Sequence, residues 1–328
     1  MNTSSWHNIA ARACLATTLW ACAIFSSCGE ANSSPNYPTG QLEKKYYADG
    51  PWAVKVEIGA DCCDSKGNSY DYYYPANLGA GGFPIIAWGN GTFGTSSEVA
   101  YFLKHMASWG FVIIATQDRF TYPGDTILDS VRHAVQANGD ATILHGQFLN
   151  KLDVNQIGAI GHSQGAGGAA RAMIKSGGLI KTLIPIELPG QQFCFCSPSD
   201  VLDTSQITNG SVFFVDGSLD LPVSPPTQPP SAIGLQSIAA FYNAVPNNVR
   251  KLKGTLIGPT HNDITGQPSC KAAALPCFNG VYGYLGYPTA WMRDQLRGDI
   301  LAHGAFVHGS GEMFGETKNW EFVDSNIP

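Results

Sequence analysis

The residues with the most chemistry in them are Gly161-His162-Ser163-Gln164-Gly165. A serine hydroxyl is a weak nucleophile until the backbone presents it to a base. Here the surroundings suit that task. Upstream, the apolar run Ile157-Gly158-Ala159-Ile160 reads as a buried strand. Downstream, Ala170-Arg171-Ala172-Met173-Ile174-Lys175 reads as a helix. A Gly-x-Ser-x-Gly pattern between strand and helix is a nucleophile elbow, a sharp turn with the serine at its tip. Glycines are needed because side chains at Gly161 and Gly165 would collide across the turn. The same turn puts the Gln164 N–H at a helix start, facing a developing oxyanion.

A nucleophilic serine needs a base, and the base needs a carboxylate to orient it. After an elbow of this kind the chain order is serine, acid, histidine. Val212-Phe213-Phe214-Val215 reads as a strand, with Asp216-Gly217-Ser218-Leu219-Asp220 just past it. Leu252 to Ile257 reads as the next strand, followed by Gly258-Pro259-Thr260-His261. Both candidates therefore fall in loops at strand C-terminal ends, where open α/β sheets hold ligands. Among eight histidines His261 is the expected base. His303 and His308 follow no recognisable strand, and His162 belongs to the elbow. Asp220 is the expected acid ahead of Asp216, because it lies deeper in the loop and precedes Leu221-Pro222-Val223. Asp216 is expected to cap the strand end or order the loop, and Asp200, Asp203 and Asp263 to be solvated. A second oxyanion donor is expected from Gly89-Asn90-Gly91-Thr92-Phe93-Gly94, at the Thr92 N–H with Phe93 as the adjacent alternative.

These residues require a scaffold, and the rest of the chain reads as one. Trp52 to Ile58 and Tyr70 to Tyr74 read as a hairpin across a Gly/Asp/Ser/Asn turn. Pro84 to Trp88, Phe111 to Ala115 and Thr182 to Ile186 are apolar runs suited to buried strands. Glu98 to Trp109, Asp125 to Asn138, Ala232 to Asn243 and Thr289 to Leu296 read as helices. Strands alternating with helices predict an α/β fold, a mostly parallel, doubly wound sheet with flanking helices.

Charged residues make up 13% of the 328 and the net charge is −6, which argues against nucleic acid as a partner. Ala13 to Phe25 is an apolar run too short to span a bilayer as an ordinary helix, and it reads as an export leader over residues 1–31. Two exits are open. Gly29-Glu30-Ala31 suits cleavage, and Phe25-Ser26-Ser27-Cys28 resembles a lipobox with Cys28 as the lipid-bearing residue. Residues 32–45 then read as a tether and 46–328 as one catalytic domain, a monomer, either secreted or lipid-anchored in the periplasm or outer membrane. Cys62, Cys63, Cys194, Cys196, Cys270 and Cys277 remain, an even number suited to disulfides rather than a metal site. Cys270–Cys277 is the easiest bridge, and Cys62 and Cys63 could pair with Cys194 and Cys196.

At this point the chain resembles a known group, the secreted α/β-hydrolases of the cutinase-like and polyethylene terephthalate hydrolase type, close to dienelactone-hydrolase-like lipases. The likeness covers roughly residues 50 to 310. It rests on the Gly89–Ser97 loop, on Ala107-Ser108-Trp109-Gly110-Phe111, on the Gly161–Gly165 elbow, on Gly217 to Val223, on Thr260-His261 and on Pro288 to Met292. The resemblance implies an α/β-hydrolase fold and carboxylic-ester hydrolysis by Ser163, His261 and Asp220, without metal or cofactor. It implies oxyanion donors at Thr92 and Gln164 and an open aromatic cleft walled by Phe93 or a neighbour. The substrate is expected in that cleft against Phe93, His162 and the aromatics of Tyr282-Gly283-Tyr284. Polyester hydrolases of this type usually carry Tyr or Phe after the oxyanion-loop glycine and Met after the serine, where this chain has Thr92 and Gln164. Alternatives in other classes are a lipase or polysaccharide deacetylase, and a non-catalytic cell-surface binding module.

Overall fold

In a computed structural model, residues 36–193, 200–228, 234–271 and 273–328 are described. The expected leader, including Cys28, lies outside them, as do Cys194 and Cys196.

Among the described residues nine strands form a single sheet: β1 (Val54–Cys62), β2 (Ser69–Pro75), β3 (Phe83–Gly89), β4 (Val112–Thr116), β5 (Leu152–His162), β6 (Thr182–Ile186), β7 (Ser211–Gly217), β8 (Arg250–Leu256) and β9 (Trp320–Ser325). Their spatial order is β1-β2-β4-β3-β5-β6-β7-β8-β9. The six strands from β4 to β8 pair in parallel, while β1, β2 and β9 pair antiparallel at the edges. This is the mostly parallel α/β sheet expected from the strand and helix pattern, in the α/β-hydrolase arrangement that the resemblance implies.

Each central strand is apolar on both faces, because helices cover both sides. Ile85, Ala87, Val112 and Ile114 pack with Ile127, Leu128 and Val131 of α3 (Asp125–Gly139) and with Ala166 and Ala169 of α4 (Gln164–Lys175). Their sequence neighbours Ile86, Trp88, Ile113 and Ala115 face the other way. They pack with Phe102, Leu103 and Met106 of α2 (Ala100–Ser108) and with Trp291 and Met292 of α6 (Gly286–Arg297). The helix expected from Ala232 begins at Ile238 within the described residues, because the Ser237 hydroxyl caps it by accepting the Ala240 N–H. That helix, Ile238–Ala244, is α5.

Two features differ from expectation. Strand β9 had no counterpart in the pattern, being a short edge strand near the chain end. The described part of the expected tether is packed. Asn36 donates to the Ile257 carbonyl at 2.8 Å, and Gln41–Tyr47 forms a helix, α1, with Tyr46 fully buried. The first turn of α1 is capped from far away. Glu312 accepts the N–H groups of Leu42 and Glu43, both at 2.9 Å.

Glu43 itself is buried and accepts the Trp320 indole N–H at 2.8 Å. Burial pushes its carboxyl up to about 7 from 4.5, with Glu316 and Glu312 adding repulsion against the opposing bonds from Trp320 and Thr39. A carboxyl raised in the folded state contributes its stability in full below pH 4.5 and loses it as pH rises through about 7. Thermal stability should therefore fall between pH 5 and 8. Glu43→Gln, which keeps an acceptor for Trp320, should flatten that fall by an amount on the order of 3 kcal/mol. Melting curves of both proteins at the two pH values check this, and parallel slopes would show that another group titrates.

Candidate active site

The strand β5 ends at His162 and α4 begins at Gln164, so one residue makes the turn. Ser163 adopts φ 56° and ψ −129°, a left-handed conformation costly to any residue with a side chain. Its N–H is held by the Ile186 carbonyl at 3.0 Å. A methyl on Gly161 would run into the Gly165 carbonyl, and one on Gly165 would run into the carbonyls of Gly89 and Asn90. The glycines are thus what lets α4 start so close to the end of β3.

Three side chains fall into line at this turn. Ser163 Oγ lies 2.7 Å from His261 Nε2, and His261 Nδ1 lies 2.6 Å from Asp220 Oδ2. A carboxylate can only accept, so Nδ1 carries the proton and Nε2 accepts from Ser163. Asp220 is buried, while the imidazole keeps 20% of its surface open towards the cleft. Asp220 sits in the turn after β7, where its N–H donates to the Gly217 carbonyl and its own carbonyl accepts from Ser224. Asp216 stays inside β7, fully buried, and accepts the Thr255 hydroxyl at 2.7 Å.

Beside the serine, the N–H groups of Thr92 and Gln164 have no acceptor among the described residues, whereas the Phe93 N–H donates to the Arg119 carbonyl at 3.1 Å. Phe93 is therefore engaged and Thr92 is free to donate. Two side chains fix this loop. Asn90 donates to the carbonyls of Thr116 and Asp118, at 2.7 and 2.9 Å. Gln164 donates to the Arg119 carbonyl at 3.0 Å and accepts the Tyr122 N–H at 3.0 Å. The Gln164 side chain thus braces the loop after β4 while its backbone faces the serine. A polar residue inside a glycine-rich loop was the only signal for Asn90.

His261 has its own support. His162 lines the cleft but is buried, and its Nε2–H donates to the His261 carbonyl at 2.7 Å. Burial pushes its imidazole down to about 3, and the nearby His261 adds to this, so it stays neutral. Asp263, expected to be solvated, is instead fully buried. It accepts the Thr260 N–H and hydroxyl at 2.8 and 2.6 Å, and the N–H groups of Phe278, Asn279 and Gly280. A loop of polar N–H groups cannot be buried without such an acceptor. The disulfide Cys270–Cys277, with Cα atoms 5.8 Å apart, closes the same loop. Cys62 and Cys63 lie at the end of β1, and any pairing with Cys194 and Cys196 falls outside the described residues.

The cleft above Ser163 has a volume of about 370 Å³ and is lined by Thr92, Thr95, His162, Phe193, Val223 and Ala274 among others. Phe93 is not in that lining. It stands exposed at the rim, edge-on to Phe120 with ring centres 4.9 Å apart. Tyr282 and Tyr284 do not wall the cleft as expected. Tyr282 packs on Tyr37 with ring centres 4.8 Å apart, and Tyr284 is buried against Glu187.

With the parallel sheet and the elbow at its C-terminal edge, the fold is that of an α/β-hydrolase, and the chain is a serine ester hydrolase. Its likeness is to the cutinases and polyester hydrolases. The PET hydrolase-like family model matches residues 36–197, a stretch that holds Thr92, Ser163 and Gln164. Cutinase est1 of Thermobifida alba is 26% identical over 231 residues, 69% of this chain and 68% of that protein. Cutinase 1 of Thermobifida cellulosilytica is 23% identical over 294 residues, 87% of this chain and 95% of that protein. Among the described residues no helix is long and apolar enough to cross a membrane.

Proposed function

We propose that Ser163, His261 and Asp220 hydrolyse apolar carboxylic esters through an acyl-enzyme, polyesters among them. Ser163 Oγ attacks the ester carbonyl as its proton passes to His261 Nε2. Asp220 holds Nδ1–H and balances the imidazolium charge. The N–H groups of Thr92 and Gln164 receive the oxyanion. His261 then protonates the leaving alkoxide, and the acyl group stays on Ser163. Water attacks the acyl carbon as it gives a proton to His261, and His261 passes that proton to Ser163 Oγ as the second tetrahedral intermediate collapses to the free acid. The scheme uses neither metal nor cofactor.

One observation carries the substrate class. Phe93, Phe120, Leu219, Leu221, Leu275 and Phe278 are 40–85% exposed, and all belong to loops leaving the C-terminal ends of β3, β4, β7 and β8. That is the edge holding Ser163. Large apolar side chains gathered on one edge mark a surface that meets an apolar partner. The resemblance to cutinases supports the same reading. A panel of p-nitrophenyl esters alongside a polyester film tests it. Each buried methylene contributes roughly 0.8 kcal/mol, so a shallow cleft stops gaining after a few carbons. Esters of about four to eight carbons should outperform sixteen-carbon esters, with release of soluble acids from the film. A sixteen-carbon preference with a rate jump above the critical micelle concentration would instead indicate a lidded lipase.

Export belongs to the same proposal. The apolar run before Ser26 and the oxidised Cys270–Cys277 pair support an oxidising compartment. The mass of the mature N-terminus decides between cleavage after Ala31 and a lipid on Cys28.

A further inference from the structure

Asp220 does not face His261 alone. Glu187, the first residue after β6, is fully buried with φ 51°, again in the left-handed region. Such a backbone is kept only where the surroundings enforce it. Its N–H donates to the Val215 carbonyl at 2.8 Å. On its carboxyl, Oε2 accepts the Gly217 N–H at 3.2 Å and Oε1 accepts the Tyr284 hydroxyl. Oxygens of Glu187 and Asp220 and a ring nitrogen of His261 all lie within 4.8 Å of one another. Two carboxyl groups can bond only when one carries a proton. Asp220 accepts from His261, as the base requires.

We propose that Glu187 is a positioning residue for ester hydrolysis, present as a carboxylic acid whose O–H donates to Asp220 and holds that carboxylate square to His261. The proposal rests on the reading of Asp220 as the acid of the triad. On balance the surroundings of Glu187 favour the same proton placement, with the bonds donated by the Tyr284 hydroxyl and the Gly217 N–H opposing it. Burial pushes the Glu187 carboxyl well above its ordinary range, and the charges of Asp220 and Asp216 push the same way. Asp216 is raised too, chiefly by burial. Tyr284 is a buried phenol pushed up by burial and by Glu187, with Asp263 beyond it, so it stays a donor. Among the described groups facing Glu187, His261 is the one that can become a cation. A neutral Glu187 leaves one carboxylate opposite one imidazolium, and an ionised Glu187 would add a second, unbalanced charge.

Two variants and a spectrum test this. Glu187→Gln keeps the shape and an N–H donor, and should rescue kcat to within about threefold of wild type. Glu187→Leu removes the donor and should lower kcat about 10- to 100-fold with KM unchanged, as for one lost hydrogen bond to a charged group. Its acid limb in the pH–kcat profile should move upward, because a carboxylate with one donor fewer holds the imidazolium more tightly. At neutral pH the infrared difference spectrum of wild type minus Glu187→Gln should show a protonated-carboxyl band, sensitive to deuterium, because the other raised carboxyls, Asp216 and Glu43, contribute equally to both proteins and cancel. Should the Leu variant not fold, the Gln variant and the spectrum decide. The idea is overturned if Glu187→Gln loses at least tenfold in kcat, if both variants match wild type in kcat and pH limb, or if the difference spectrum shows no such band. Asp220→Asn serves as the control. Its inactivity beside silent Glu187 variants would sink this inference alone, whereas an active Asp220→Asn would sink the triad reading beneath it.

Discussion

Ser163→Ala should lower kcat for any ester substrate by about 10⁶-fold, the scale expected when the nucleophile of a cooperating triad is removed. The loss should come without unfolding. The left-handed backbone at this position is enforced by the elbow and not by the hydroxyl, and the N–H bond to the Ile186 carbonyl survives the change. Alanine meets the same backbone cost as serine. KM should change little, because the hydroxyl contributes mainly in the transition state. Adding His261→Ala to Ser163→Ala should cost almost nothing more, since each group acts only through the other. Single-turnover and steady-state assays on the single and double variants check this. A double variant clearly slower than either single one would mean that the two side chains act independently.

Asp220→Asn should lower kcat by about 10⁴-fold. The carboxylate accepts from His261 Nδ1–H on Oδ2 and lies beside Glu187, its proposed donor. An amide offers one accepting oxygen and one donating nitrogen, so it cannot satisfy both neighbours as the carboxylate does. With the amide nitrogen towards His261, Nδ1 must become the acceptor and Nε2 must carry the proton. The imidazole then cannot take a proton from Ser163. Because Asp220 is buried and absent from the cleft lining, KM should stay near the wild-type value. A loss confined to KM would show that Asp220 acts in binding.

The parts of the site that were legible in the sequence depend on local patterns. The elbow is a five-residue signal between a readable strand and a readable helix. Asp220 and His261 each follow an apolar run closely enough for strand ends to place them at one edge of the sheet. Cys270 and Cys277 are close enough in sequence to bridge a single loop. The parts that were not legible depend on partners far away. Glu187 meets Tyr284 across 97 residues, and Leu42 is capped by Glu312 across 270. No periodicity or turn chemistry announces such pairs. Asp263 was misjudged for a related reason. A carboxylate in a polar loop looks solvated until the loop is seen to fold around it. A threonine three residues earlier was a usable hint, since Thr and Asp side chains often staple their own loops. The packing of residues 36–45 is not legible because Ser, Asn and Pro describe flexible chains well, while the burial of Asn36 and Glu43 depends on surfaces from other parts of the fold.

The most direct test of the mechanism is the site of covalent capture. The protein treated with a fluorophosphonate should carry a single adduct, found by tandem mass spectrometry on Ser163, with ester turnover lost in proportion to labelling. Ser163→Ala should take no label. An adduct on another residue accompanying loss of turnover, or full labelling of Ser163 with turnover intact, would contradict the acyl-enzyme account.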